Sequence, residues 1–344
     1  MTARHGGDKA WRTAGLRLSV AALAVLAAVP YAALGHTEPA DPAAADGSHL
    51  ERIEPLHDRV ADLYVYSAAM HTVIRSRIVR GAADGAPAPT LYLLNGANGG
   101  VEGSWYDETD VADFVRDKHV NVVIPIGGAG SYFTDWEFDD PVLGHPRWTT
   151  FLTRELPPIV DAALTGNGAN AIAGISMAGT SVFQLALAAP GLYRAIASYS
   201  GCVRTSDPQG QAFVSAVVAR YRGNALNMWG PFGASDWAAH DAYLHADRLR
   251  GTAIYLSTGT GLPGPLDTPE GTHGDLPHLA WQLLFGAPLE AVMNTCTRAL
   301  RDRLAQLGVP ATVDLRPTGT HSWGYWQEDL HRSWPMLEAA LGGG

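Results

Sequence analysis

The sequence predicts an α/β fold: a mostly parallel central sheet with helices on both faces and a helical insertion over one end of the strands. Three observations predict it. Short, nearly all-apolar runs at 90–94, 120–126, 170–175, 195–200 and 252–257 have the length and composition of strands buried on both faces. Runs with helical spacing at 110–118, 148–164, 181–189 and 289–307 lie among them. Finally, Gly174-Ile175-Ser176-Met177-Ala178-Gly179 stands between an apolar strand and an amphipathic helix. Small residues at Gly174 and Ala178 let strand and helix approach closely, so Ser176 can sit on a strained turn with its hydroxyl exposed.

Taken in order, the chain begins with an export signal rather than structure. Arg4, Lys9, Arg12 and Arg17 precede an apolar run from Leu18 to Val29, and small residues follow at Ala33 and Gly35. The run is shorter than the roughly 20 residues a bilayer span needs. Residues 1–35 are therefore expected to be removed, and 36–50, rich in Ala, Pro and Asp, to form a flexible lead-in. A single domain should occupy 51–344. It should open with a hairpin of strands at 61–67 and 72–79. Between about 207 and 248 the periodicity weakens into short helical pieces, which reads as a wall or cap over a site rather than a second domain. A strand at 312–315, the loop Thr318-Gly319-Thr320-His321-Ser322-Trp323 and a last helix to Leu341 close the chain.

Composition narrows the partners. A formal net charge of −10 with no cluster of Lys and Arg excludes nucleic acid, whose phosphates need concentrated positive charge. With 47% hydrophobic residues the chain can bury one large core. There is no C-x-x-C and no H-E-x-x-H, and the 13 histidines are scattered, so no metal site is expected. In an exported protein Cys202 and Cys296 are an even pair able to form one bridge.

The chemistry assembles around Ser176. A serine hydroxyl needs a base to take its proton and an acid to hold that base in the right tautomer. In α/β-hydrolases these follow the nucleophile as acid and then histidine, the histidine in the loop after the last strand. His321 sits in that loop. Asp267, Glu270, Asp275 and Glu290 all lie between a strand and His321, and position does not separate them.

Six blocks carry a resemblance. Leu91 to Gly96, Gly127-Gly128 with Ser131 to Trp136, Phe151 to Pro157, Gly174 to Gly179, Met228 to Pro231 and Gly319 to Trp326 resemble, in order, the mycolyltransferases of the antigen 85 family. The resemblance covers nearly everything after the lead-in, and its last block is the most specific. It implies an exported α/β-hydrolase that moves a mycoloyl chain from trehalose monomycolate to trehalose or cell-wall sugars through an acyl-serine. It makes Ser176 the nucleophile, His321 the base and Glu290, in Leu289-Glu290, the acid. The backbone N–H groups of Ala97 and Met177 would form the oxyanion hole, and Trp323 a wall of the sugar site. Asn95 and Asn98 stand where the family has an aspartate and an arginine that help bind trehalose, so both are expected at the substrate with their charges lost. The family's cysteine in the strand at 255–256 is matched by Ser257, while Cys202 and Cys296 are additional.

No cofactor is implied. The expected partners are a glycolipid donor and a sugar acceptor at the cell envelope, met by a monomer. Hydrolysis of lipid or sugar esters by the same residues is the alternative, because fold and triad do not choose between water and an alcohol. A non-catalytic binding paralogue is disfavoured, since Ser, acid and His all stand in the expected order.

Overall fold

The computed structural model describes residues 46–81 and 86–342. The expected signal segment 1–35, and the lead-in as far as 45, lie outside the described residues.

The described residues build a sheet of nine strands: β1 (His49–His57), β2 (Val60–Ser67), β3 (Thr72–Val79), β4 (Ala88–Leu94), β5 (Asn121–Ile126), β6 (Gly166–Ile175), β7 (Tyr193–Tyr199), β8 (Ala253–Thr258) and β9 (Thr312–Leu315). Their spatial order is β1-β2-β3-β5-β4-β6-β7-β8-β9. The first three and β5 pair antiparallel, and from β5 onward all pairings are parallel. The expected hairpin is thus the inner part of a three-stranded antiparallel edge. β1 corrects the expectation of a lead-in through residue 50: it begins at His49 and pairs with β2 along its length. Its outer position explains why it is hard to read, for His49-Leu50-Glu51-Arg52-Ile53-Glu54 buries no residue fully.

Alternation within the central strands sorts the core into two layers. Tyr92, Leu94 and Ile172 point into one, with the helices Leu156–Leu164, Met177–Ala188 and Ala287–Leu307. Leu91, Leu93, Ala171 and Ala173 point into the other, beneath Trp105, Val111 and the helix Trp323–Leu341. Period-two alternation on strands that are buried on both faces requires apolar residues at every position, hence the continuous apolar runs. The expected helix at 110–118 shrinks to one turn, Val111–Phe114, between Asp110 and the entry to β5.

Two helices contain a π turn, Phe151–Glu155 before Leu156–Leu164 and Gln282–Gly286 before Ala287–Leu307. A π turn holds one residue more than an α turn and commonly lies at a functional position. The insertion 207–248 forms the helix Pro208–Arg220 and short helical pieces at Leu226–Trp229, Ser235–Ala239 and Ala246–Leu249. Trp229 and Trp237, fully buried and packed edge to face, seat it on the core. Cys202 and Cys296 form a disulfide that encloses this insertion in a loop with a sequence separation of 94.

Candidate active site

Ser176 follows the last residue of β6 and caps the helix Met177–Ala188 with φ 54° and ψ −121°, a backbone conformation costly for a residue with a side chain. Close packing enforces it. A Cβ on Gly174 would lie 2.6 Å from the Ala178 carbonyl oxygen, and one on Gly179 would lie 2.8 Å from the Gly201 Cα. The Ser176 N–H donates to the Tyr199 carbonyl at 2.9 Å, extending the β6–β7 ladder by one residue to the turn itself. The strained turn expected around Ser176 is therefore present, and Ser176 is partly exposed there.

The sequence left four carboxylates open, and geometry separates them. Glu290, on the first turn of Ala287–Leu307, is fully buried, and its Oε2 lies 2.8 Å from His321 Nδ1. Its other oxygen, Oε1, accepts from Ser200 Oγ at 2.8 Å, Thr258 Oγ1 at 2.9 Å and the Gly259 N–H at 2.6 Å. These donors come from the carboxyl ends of β7 and β8, where open parallel sheets place their sites. Ser200, Thr258 and Gly259 were not anticipated; the only signal available was their position just past an apolar strand. Asp267 serves the neighbouring loop, accepting from Thr320 Oγ1, Gln282 Nε2 at 2.9 Å, Tyr325 OH at 2.8 Å and the Gly264 N–H at 2.8 Å. Glu270 and Asp275 are exposed, and Asp275 caps the helix Leu276–Trp281.

His321 is 4% exposed, and its Nε2 has no hydrogen-bond partner among the described residues. The imidazole packs edge to face against Trp326. With Nδ1 engaged by Glu290, a neutral ring carries its proton there and its Nε2 lone pair is unused.

Ser176 and His321 line one cavity of about 610 Å³. Ala97, Met177, Asn98 and Trp323 line it too, so five of the six other expected site residues, counting Glu290 through His321, gather around Ser176. The Met177 N–H opens the helix, where backbone donors lack intrahelical acceptors. Ala97 sits in a turn closed by Gly99 N–H to the Gly96 carbonyl and by Gly130 N–H to the Ala97 carbonyl. Much of the remaining wall is apolar, with Phe213, Val214 and Val217 from the insertion's first helix and Trp281, Phe285 and Leu289 from the segment before Glu290, while Glu102, Arg204 and Arg220 add charged groups to it. Only that helix of the insertion, with Tyr221 after it, borders the cavity.

Asn95 is the exception. It is fully buried and absent from the cavity wall, its Nδ2 donating to the Pro125 carbonyl at 3.0 Å and its Oδ1 accepting from the Trp105 N–H at 3.0 Å. The expectation that it contacts substrate is corrected: both ends of the amide are used to fasten the loop after β4. Asn98 does reach the wall, yet its Oδ1 accepts from the Gly100 N–H and its Nδ2 donates to the carbonyls of Glu102 and Gly103. No metal-binding group of three or more His, Cys, Asp or Glu occurs among the described residues. Nor is any described helix long and apolar enough to cross a membrane.

The comparisons with known proteins agree with this architecture. A family model described as putative esterase matches residues 67–337. The diacylglycerol acyltransferase/mycolyltransferase Ag85A of Mycobacterium leprae is 30% identical over 292 residues, covering 81% of this chain and 83% of that protein. Ag85B of Mycolicibacterium smegmatis is 30% identical over 296 residues, covering 81% and 85%. Among solved structures, Mycobacterium tuberculosis MPT51 (FbpC1) superposes with a TM-score of 0.68 at 23% identity, covering 83% of this chain and 99% of that one. An S-formylglutathione hydrolase from Agrobacterium tumefaciens superposes with a TM-score of 0.55 at 15% identity, covering 84% and 98%. These two likenesses establish the α/β-hydrolase fold. By family model and by relatives alike, the chain belongs to the putative esterases and, within them, to the antigen 85-type acyltransferases, and is a serine-dependent acyltransferase/esterase.

Proposed function

We propose that the protein transfers a mycoloyl or other long acyl group from trehalose monomycolate to trehalose or a cell-wall sugar through an acyl-serine at Ser176. The carrying observation is that Glu290 engages Nδ1 of His321 and leaves Nε2 unpartnered on the cavity Ser176 lines. In the first half-reaction Ser176 Oγ attacks the ester carbonyl carbon while its proton passes to His321 Nε2. The ester carbonyl oxygen becomes an oxyanion facing the N–H groups of Ala97 and Met177. Collapse breaks the bond to the sugar oxygen, which leaves with the His321 proton, and the acyl group stays on Ser176. In the second half-reaction an acceptor hydroxyl gives its proton to His321 and attacks the acyl-serine, restoring the free serine. Glu290 stabilises the imidazolium at both stages.

The apolar wall from Phe213 to Leu289 suits the acyl chain, and Trp323 at the cavity edge suits the face of a sugar ring. On this reading residues 1–35 direct export to the cell envelope, 51–344 form the catalytic domain of a monomer, and 207–248 supply one cavity wall. The specific observation on the side of plain ester hydrolysis is Asn95, whose burial removes one of the two expected trehalose contacts. Incubation of the purified protein with trehalose monomycolate decides between them. Transfer yields trehalose dimycolate and free trehalose in equal amounts, and Ser176→Ala yields neither; free mycolic acid without dimycolate would establish the esterase instead.

A further inference from the structure

Behind Glu290 lies a charged group that the proposed reaction does not use. Arg316, immediately after β9, is 6% exposed, and its main-chain N–H donates to the Thr258 carbonyl at 2.9 Å. That bond registers it to the same strand end whose hydroxyl holds Glu290 Oε1. Its Nη1 donates to Asp329 Oδ1, and Asp329, on the helix Trp323–Leu341, is fully buried. Its Nη2 lies 3.8 Å from Glu290 Oε1, and both Nη2 and Nε lack hydrogen-bond partners.

A buried guanidinium with unspent donors is a poor device for stability, because each unsatisfied donor retains its desolvation cost. Its position has a different use. Among the described residues the ion-pair partners of Glu290 are Arg316 and His321. In the proposed reaction the imidazole gains its positive charge only with the serine proton, so Arg316 is the standing counter-charge. At 3.8 Å it attracts the carboxylate without replacing the shorter bonds from Ser200, Thr258 and Gly259. Asp329 shares the same guanidinium and so limits how far Glu290 is neutralised.

We propose that Arg316, anchored by Asp329, is a positioning residue for acyl transfer: it draws Glu290 Oε1 toward the strand ends and leaves Oε2 turned to His321. The inference rests on the reading of Ser176, Glu290 and His321 as a triad. Asp329 sets how much of the arginine's charge reaches Glu290. Burial pushes its carboxyl up to about 6, with Arg316 acting in the opposite direction. Other ionisable groups facing the cluster are Tyr199 and Tyr255 from the sheet, Tyr325 with its ring 5.2 Å from the guanidinium, and Arg332. Burial raises all three phenols, so they stay neutral throughout the acid range, while Arg332 stays charged.

The test is hydrolysis of p-nitrophenyl butyrate, which reads the triad whatever the natural donor. Arg316→Met combined with Asp329→Asn removes both charges together and spares the fold an unpaired ion. The expected result is a kcat lower by about tenfold with KM within about twofold of wild type. The acid limb of kcat/KM should move to higher pH, since the cation lost is the one beside Glu290 and the anion lost with it touches the guanidinium and not Glu290. Asp329→Asn alone should move it to lower pH, the whole guanidinium charge then falling on Glu290. Arg316→Lys should lie between wild type and the double variant. A double variant with wild-type kcat and an unmoved acid limb overturns the inference. Ser176→Ala, assayed in parallel, separates the two failures: if it stays active the triad reading itself is lost, and if it is inactive only the role of Arg316 is.

Discussion

Glu290 Oε2 and His321 Nδ1 lie 2.8 Å apart although a whole strand and loop separate the two residues in the chain. The pairing depends on Ser200, Thr258 and Gly259 holding the other oxygen, so the carboxylate cannot turn without losing three donors. Glu290→Gln should reduce turnover by about 10³- to 10⁴-fold, as loss of the orienting carboxylate does in other triads. Asp267→Asn should cost less in turnover and more in stability, because Asp267 fastens Thr320, Gln282 and Tyr325 rather than His321. Steady-state kinetics on both variants check the assignment, and the reverse order would refute it.

Asn95→Ala should act on the fold and leave substrate affinity alone. It leaves the buried Trp105 N–H and Pro125 carbonyl without their partner, at a cost of about 1–3 kcal/mol. A lower urea midpoint with unchanged KM is the expected outcome; a raised KM at unchanged stability would restore Asn95 to the sugar site.

Replacing Cys202 and Cys296 together by serine should lower stability by about 4–5 kcal/mol in the chain-entropy account of a long closed loop. Denaturant unfolding of the variant, or of the reduced protein, measures this. Since Cys202 also lines the cavity, opening the bridge should loosen the wall formed by Pro208–Arg220 and raise KM for long acyl donors more than for short ones.

Asp329 gives stability a specific pH dependence. Its folded-state value of about 6 lies above the ordinary 3.8, chiefly through burial. Between these values the folded chain keeps a proton that the unfolded chain has released, so this group's contribution falls as pH rises from about 4 to about 6. The whole change is on the order of 3 kcal/mol. Urea midpoints across that window should fall more steeply for wild type than for Asp329→Asn, and parallel curves would contradict the assignment.

The parts of the molecule written in local sequence were legible. A strand, a serine among small residues and a helix must make a tight turn wherever they occur, and the central strands announce themselves by having no polar face. The even cysteine pair pointed to the bridge that is present. Burial and register were not legible. Asn95 looks like a loop-tip sugar ligand until Trp105 and Pro125 are seen on either side of it. Spacing alone left Asp267, Glu270, Asp275 and Glu290 equal, because what separates them is which helix turn faces the end of β8. β1 goes unread, its first two residues falling in the expected lead-in, since an edge strand with no fully buried side chain has no apolar alternation to show. Nothing in the local sequence singles out Arg316, which becomes interior through its contact with Asp329 of the last helix.

The π turn at Gln282–Gly286 makes this part of the gene intolerant of a change in length. Trp281 and Phe285, at the cavity, and Glu290, under His321, lie on either side of that single extra residue or within it. Deleting one codon there would wind the segment as regular α-helix and turn the mouth of the cavity by about 100° relative to Glu290. Substitutions in the stretch can accumulate while the number of residues stays fixed, so related sequences should align across it without gaps even where few side chains agree.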